Sequence, residues 1–491
     1  MTNASILIYE NNYQFLFFTP LAVLVGWALY TYLENRRKIT ILLNSEGRSN
    51  ARASRKMSNI GLTTLITETK SNPSVPVTYM VLEGILTRKE AIEIVEKVIQ
   101  DPFLIRFRSV VVRDARSYVE IPDFDVSKHI FSHHLESESV LEAVEAARNQ
   151  PLDESKPLWE FHLLQDRKES TERPSHSVLC MKAHHCLGDG MSSMLMLAKL
   201  SDQREAIEAN LAKLERLQRS SKKSMNIRVA VGRIFHLLVY LSRTFRLVLH
   251  FLLALCFRSE PQTIFNRPGT GMRRLSSTKN FKVMDIKAVA KRHNATINDT
   301  TLSCVAGAIR KALLLKGSVS DKLVLRAAIP VNIRSSTEEI QETCNKFSSF
   351  IIDFPVGISN PIDRLLCIKH KMSDMKHSWA KYFLYCSLQA FSYLPETILK
   401  PMTYYAGSKL TLAISNVNAG ALSCSFAKHK MVELHAFVPP PPNLNLGVLV
   451  LTVGDELHWD ISIDESVGVD PHDFARYVEE ELTLLKGENA K

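Results

Sequence analysis

The chain has eight cysteines in 491 residues, and no two stand in a C-x-x-C spacing. Most sit inside apolar runs, which excludes a disulfide framework and a cysteine-ligated zinc site and fits reduced, buried thiols. No H-E-x-x-H is present, so the commonest helical zinc-hydrolase arrangement is absent too. No internal repeat is visible. The basic residues outnumber the acidic ones, giving a net charge of +10, but they are scattered and not interleaved with aromatics. That pattern points to an anionic membrane surface or ligand and away from nucleic acid.

Lys and Arg are also missing from residues 1–14, just ahead of the uncharged run "FLFFTPLAVLVGWALYTYL", Phe15 to Leu33. Its 19 residues span about 28 Å as a helix, close to the hydrocarbon thickness of a bilayer. A cleaved signal peptide would need a basic start and a shorter apolar segment. A buried core helix is the plainer alternative. Arg36, Arg37, Lys38 and Arg48 follow the run, so the positive-inside rule leaves the rest of the chain in the cytoplasm. Residues 1–34 are therefore expected to be a single-pass anchor, and the Ser-, Asn- and Arg-rich residues 35–72 a linker.

Strand-like and helix-like patterns then alternate over residues 73–205 and again over 278–491. These are expected to form two α/β halves of similar size. Residues 206–277 separate them and carry "RIFHLLVYLSRTFRLVLHFLLALCF", Arg233 to Phe257. At about 100° per residue, Arg233, His236, Tyr240, Arg243, Arg246 and His250 fall within an arc of roughly 140°. A basic stripe on an apolar helix suits the headgroup region of a bilayer. Packing between the two halves is the other reading.

The densest polar cluster is "MKAHHCLGDGMSSM", Met181 to Met194, where a buried strand pattern gives way to a helix pattern. A histidine there offers a base near neutral pH. Adjacent residues on a strand point to opposite faces, so one of His184 and His185 can enter a cleft while the other packs behind it. Asp189 can hold the loop through an arginine or backbone N–H groups. Gly190 permits a backbone conformation or close approach that a side chain would block. A zinc site built on adjacent, diverging histidines fits poorly. A purely structural turn remains open.

The motif resembles the HHxxxDG signature of CoA-dependent acyltransferases, and other segments narrow the resemblance to the wax ester synthase/diacylglycerol acyltransferase family. "PLDESKPLWEFHLL" (151–164) is similar to its Pro-Leu-Trp element, and "NATINDTTLSCVAGAIRKAL" to its Asn-Asp helix start at Asn298 and Asp299. "AIPVNIR" resembles its strand ending at Arg334. "NKFSSFIIDFPVGISNPIDRL" carries Asn345 and Pro355, and "ISNVNAG" carries Ser415, Asn416 and Val417. Asn418 stands in place of the family's usual proline, and Cys344 in place of its glycine. The Asp-Phe-Gly-Trp-Gly of plant alcohol acyltransferases is absent, and no carrier-protein sequence follows as it would a peptide-synthetase condensation domain.

The resemblance implies two chloramphenicol-acetyltransferase-like α/β halves around a central channel; the N-terminal transmembrane helix expected from the apolar run precedes them. It implies His185 as general base and Asn298 as oxyanion donor at a helix start. His184, Asp189, Gly190, Asp299 and Arg334 would support the motif. Fatty acyl-CoA would be the co-substrate, with no metal or other cofactor, and a long-chain alcohol or diacylglycerol the acceptor drawn from membrane lipid. The expected site is the endoplasmic reticulum membrane, the plasma membrane being the other candidate. A non-catalytic lipid-binding protein retaining the fold is the competing reading; it has no need of a strand-end base.

Overall fold

The computed structural model describes residues 55–69, 72–114, 116–135, 139–166, 176–207, 230–317, 319–334, 344–420 and 424–487. The expected anchor at Phe15–Leu33 and its basic flank lie outside the described residues.

The N-terminal half begins with β1 (Arg55–Lys56) and α1 (Asn59–Thr67). The Ser58 side chain accepts the Gly61 N–H, satisfying one of the donors that a helix start leaves unpaired. The linker expectation fails over these residues, because Ile60, Leu62, Leu65 and Ile66 are buried against the body. Then come β2 (Val77–Glu83), α2 (Arg88–Ile99), β3 (Ser109–Val112), β4 (Ser117–Glu120) and β5 (Ile130–Leu135). α3 (Val140–Asn149), β6 (Trp159–Asp166), β7 (His176–Ala183) and α4 (Gly190–Leu200) complete the half. Capping boxes start α2 (Thr87 with Glu90) and α3 (Ser139 with Glu142), each pairing two otherwise orphaned donors.

The second half runs through α5 (Ala230–Phe257), β8 (Arg273–Ser277), β9 (Phe281–Lys282), α6 (Val283–Arg292) and α7 (Ile297–Leu315). It continues with β10 (Leu325–Asn332), β11 (Phe347–Phe354), α8 (Pro361–Lys376), α9 (Ala380–Phe391) and α10 (Glu396–Gly407). The last elements are β12 (Leu412–Asn418), β13 (Ser425–Phe426), β14 (His429–Phe437), β15 (Leu446–Val453), β16 (Glu456–Asp464) and α11 (Pro471–Lys486).

Two mixed sheets result. One has the order β13-β14-β2-β7-β6-β5; the other runs β11-β10-β12-β15-β16-β8, with β9 on β16. The halves are not closed on themselves. β13 and β14 come late in the chain yet extend the N-terminal sheet, β14 pairing antiparallel with β2. The join is clamped by Asp460 of β16, which accepts the Ala436 N–H at 2.8 Å, His435 Nδ1–H at 2.9 Å and the Ser277 hydroxyl at 2.6 Å. Burial opposes a charge on His435, but the Asp460 and Glu433 carboxylates together outweigh it and raise the imidazole to about 9. Leu449 and Leu451 of β15 pack into the N-terminal core, so one apolar interior is shared across the junction.

α5 reverses one expectation. Its polar stripe turns toward the protein and its apolar side faces out. Arg246 Nη2 lies 2.5 Å and Arg243 Nε 3.7 Å from the Asp374 carboxylate, and His250 Nε2 is 3.5 Å from Asp353. Leu247, Val248 and Phe251 pack on the C-terminal core, while Phe245 is 69% and Leu238 58% exposed. The two acidic side chains on the body, invisible to a helical wheel, set the orientation. Side chains of Arg233 and His236 lie outside the description.

Candidate active site

β7 is buried along its length from Ser177 to Ala183, as a strand flanked by β2 and β6 must be. The strand stops at Ala183, and the chain is fastened on both sides as it leaves the sheet. His184 N–H donates to Leu158 O and His185 N–H to Ser74 O, each at 2.8 Å, and Leu187 N–H closes a turn on His184 O. The two histidines thus diverge in a turn just past the strand and not on the pleat itself.

His184 points into the protein and is 3% exposed. Its Nδ1 accepts the Cys186 N–H at 3.0 Å, and its Nε2–H donates to Glu68 Oε2 at 2.9 Å. Burial works against the Glu68 charge, but His184 and Arg113 more than offset it and hold the carboxyl below its usual range. Arg113 Nη2 is 2.8 Å from Glu68 Oε1.

His185 points the other way, into a cavity of about 540 Å³ between the sheets. Its Nδ1 is 3.2 Å from Asn345 Oδ1. The Asn345 amide nitrogen donates to the carbonyls of His185 and Cys186, which can only accept, so the amide oxygen must face the ring. The proton therefore sits on Nδ1, and Nε2 carries the lone pair. Burial lowers the His185 pKa from its ordinary value, with Asn345 and Asp189 as weaker opposing influences. The ring is a neutral base of fixed tautomer at the wall of an apolar cavity.

Asp189 is 7% exposed and its carboxylate is fully engaged. It accepts Arg334 Nη1–H at 2.8 Å and Nη2–H at 3.0 Å, the Ser192 N–H at 3.1 Å and the Lys346 N–H at 3.0 Å. It is the N-cap of α4. The turn after β7, the end of β10 and the start of β11 are thereby locked together.

The glycine requirement falls elsewhere than expected. A Cβ on Gly190 would meet only Val417 Cγ2 at 3.7 Å, an ordinary contact, and the residue is helical. A Cβ on Gly188 would lie 2.4 Å from Ser192 Cβ. Gly188 is where backbone and α4 approach too closely for a side chain; Gly190 merely adds to the cavity wall.

Asn298, at the start of α7, is set back from that wall. Its Oδ1 accepts the amide N–H of Asn416 at 3.0 Å, and Asn416, with Ser415, lines the cavity from β12. Asp299 is buried and closes a capping box with Thr296, accepting the Thr296 N–H at 2.8 Å. Arg334 and Asn332 reach the cavity from the end of β10. The Pro-Leu-Trp element is structural here: Trp159 is 1% exposed and its Nε1–H donates to Phe107 O.

Glu68 and the roles of Asn345 and Asn416 are not visible in local sequence patterns. Glu68 lies 116 residues from His184 and Asn345 160 residues from His185, and no spacing rule links partners that far apart. Among the described residues, His435, His458 and Asp460 also cluster, with ligand atoms within 4.8 Å of one another. They belong to the clamp between the sheets, not to the cavity wall.

Two sheets sharing a cavity, with HHxxxDG in the turn at its wall, define an architecture known from solved structures of CoA-dependent acyltransferases and condensation domains. The wax ester synthase/diacylglycerol acyltransferase of Marinobacter aquaeolei VT8 superposes with a TM-score of 0.60 at 18% identity, covering 88% of this chain and 100% of that one. The starter condensation domain of a rhizomide synthetase, solved with C8-CoA, gives 0.55 at 13% identity over 89% of this chain and 94% of that one. The family models for the wax ester synthase/diacylglycerol acyltransferase catalytic domain and for the WS/DGAT C-terminal domain match residues 71–301 and 343–486, together about three quarters of the chain. A probable diacylglycerol O-acyltransferase of Mycobacterium tuberculosis is 24% identical over 76% of this chain and 81% of its own. Wax ester synthase/diacylglycerol acyltransferase 3 of Arabidopsis thaliana is 25% identical over 77% and 80%. The chain belongs to the wax ester synthase/diacylglycerol acyltransferase family and is an acyltransferase.

Proposed function

We propose that the protein esterifies a long-chain alcohol or diacylglycerol with a fatty acyl group taken from acyl-CoA. The carrying observation is His185: a neutral imidazole with its tautomer set by Asn345, facing an apolar cavity between the two halves. His185 Nε2 takes the hydroxyl proton as the alcohol oxygen attacks the thioester carbonyl carbon. The tetrahedral intermediate collapses with cleavage of the C–S bond. The imidazolium returns its proton to the departing thiolate, giving ester and free CoA. The step balances with acyl-CoA as the only co-substrate.

The developing oxyanion needs a donor at the wall. Asn416 takes that role, with Asn298 behind it fixing the amide through the Asn416-to-Asn298 hydrogen bond. Asp189, Arg334, His184 and Glu68 position the turn that carries His185. A non-catalytic reading is not favoured, since a scaffold has no use for a histidine held in one tautomer over a cavity.

The location belongs to the same reading. Residues 15–33 anchor the chain in the endoplasmic reticulum with the body in the cytoplasm, supported by the basic residues that follow the run. The test is to incubate the full-length protein with labelled acyl-CoA and a fatty alcohol or diacylglycerol, then resolve the lipid products. Labelled ester with either acceptor is expected; free fatty acid alone would overturn the transfer step.

A further inference from the structure

The Leu238–Phe257 part of α5 is long and apolar enough to cross a bilayer by length and composition, yet one side of it is committed. Leu247, Val248 and Phe251 pack on the core, and Arg243, Arg246 and His250 face Asp374 and Asp353. The opposite side, with Leu238, Leu241, Phe245, Leu249 and Leu252, is exposed. Fastened along one face to a folded α/β body, this helix is placed to lie on a membrane with its other face.

The exposed surface does not end with α5. Trp379 N–H donates to Thr244 Oγ1 at 2.9 Å, Tyr240 and Trp379 rings are 6.1 Å apart, and the Tyr405 hydroxyl donates to Cys256 O at 3.5 Å. These ties set α9 and α10 beside α5, and both present large side chains outward. Tyr382, Phe383 and Phe391 of α9 and Ile398 and Tyr405 of α10 are all exposed. Contiguous exposed patches of this kind mark interaction sites. The charges fit one partner. Residues 230–258 contain no Asp or Glu, and residues 379–409 contain only Glu396. Lys381 sits 4.9 Å over Tyr382, Lys409 4.5 Å over Tyr405 and Lys56 5.8 Å over Tyr393, cations riding on interfacial aromatics as at a headgroup layer.

Two of these helices also wall the cavity, through Leu388 of α9 and Thr403 of α10, beside Ile60, Thr63 and Thr64 of α1. We propose that the outer faces of α5, α9 and α10 form one docking surface for an anionic phospholipid bilayer, and that the acceptor alcohol enters from it between α1, α9 and α10. An apolar acceptor would then reach His185 without crossing water. This rests on the acyltransfer reading for its acceptor but not for its surface.

Full-length protein is reconstituted into vesicles of two parts phosphatidylcholine and one part phosphatidylglycerol, with a fluorophore on Cys256 or Cys386. Both residues are exposed, and each probe is isolated by changing the other to Ser. Brominated lipid chains are expected to quench both probes and aqueous iodide to spare them, while a probe at Lys287→Cys on α6 shows the reverse. Probes reached by iodide and not by bromolipid overturn the proposal, as do probes shielded by rising protein concentration without lipid, which would mean a second copy covers the face. In parallel, Leu249→Asp with Phe383→Asp should raise KM at least tenfold for a vesicle-borne long-chain alcohol. Turnover of a dispersed short-chain alcohol should stay unchanged. Equal KM for the vesicle-borne substrate overturns the entry route. Absence of any wild-type transfer would instead sink the acyltransfer reading, leaving the quenching to decide the surface.

Discussion

Replacing Asp189 with alanine separates a structural aspartate from a chemical one. The carboxylate accepts from both Arg334 nitrogens, from the Ser192 N–H and hydroxyl and from the Lys346 N–H. The side chains of Arg334 and Asp189 are 1% and 8% exposed. Asp189→Ala removes the carboxylate that pairs with this buried guanidinium, a loss of about 3–5 kcal/mol, with about 1 kcal/mol more for the missing helix cap. Domains are typically stable by about 5–15 kcal/mol, so a large part of the fold's margin disappears. Urea unfolding followed by tryptophan fluorescence reads this directly, since Trp159 and Trp459 are buried. Asp189→Leu combined with Arg334→Met should recover much of the loss, because an apolar pair of similar volume carries no desolvation cost. A D189A protein with the wild-type unfolding midpoint and no turnover would refute this reasoning and give the carboxylate a role in the reaction.

Burial disfavours the imidazolium of His185 and lowers its pKa, so the base form persists to lower pH than in a free histidine. The acid limb of kcat/KM should fall at a pH below about 6.5, and a midpoint above that value counts against the assignment. Gly188→Ala should cost about 1–3 kcal/mol through overpacking against Ser192, whereas Gly190→Ala stays within about 0.5 kcal/mol; equal midpoints in urea would contradict the geometry. Asn416→Ala should lower kcat by about 10² to 10³ as an oxyanion donor, and Asn298→Ala by less. A larger loss from Asn298 would return the donor role to it.

What could be read in the sequence was local. The strand before His184 and the helix after Gly190 follow from patterns a few residues wide, and the HHxxxDG and Asn-Asp segments identified the family. Contacts across long separations were not legible. The linker reading of residues 35–72 missed α1 and Glu68, since a largely polar composition does not reveal that Ile60, Leu62, Leu65 and Ile66 will bury. The direction of α5 was lost for the same reason: its basic stripe finds Asp353 and Asp374 on the body, which no wheel displays. Gly190 drew attention as the motif's glycine, but the steric demand sits two residues earlier, where the chain passes Ser192. The exchange of β13 and β14 into the first sheet has no local signal at all.

The central claim is that His185 is the base. It is tested most directly by His185→Ala and His185→Gln in the full-length protein, with label transfer from acyl-CoA to alcohol measured at saturating acyl-CoA beside a binding assay for the CoA thioester. The account predicts that transfer falls by about 10² to 10⁴ while acyl-CoA binding and the unfolding midpoint are retained. Transfer within a few-fold of wild type in a folded His185→Ala protein would contradict it.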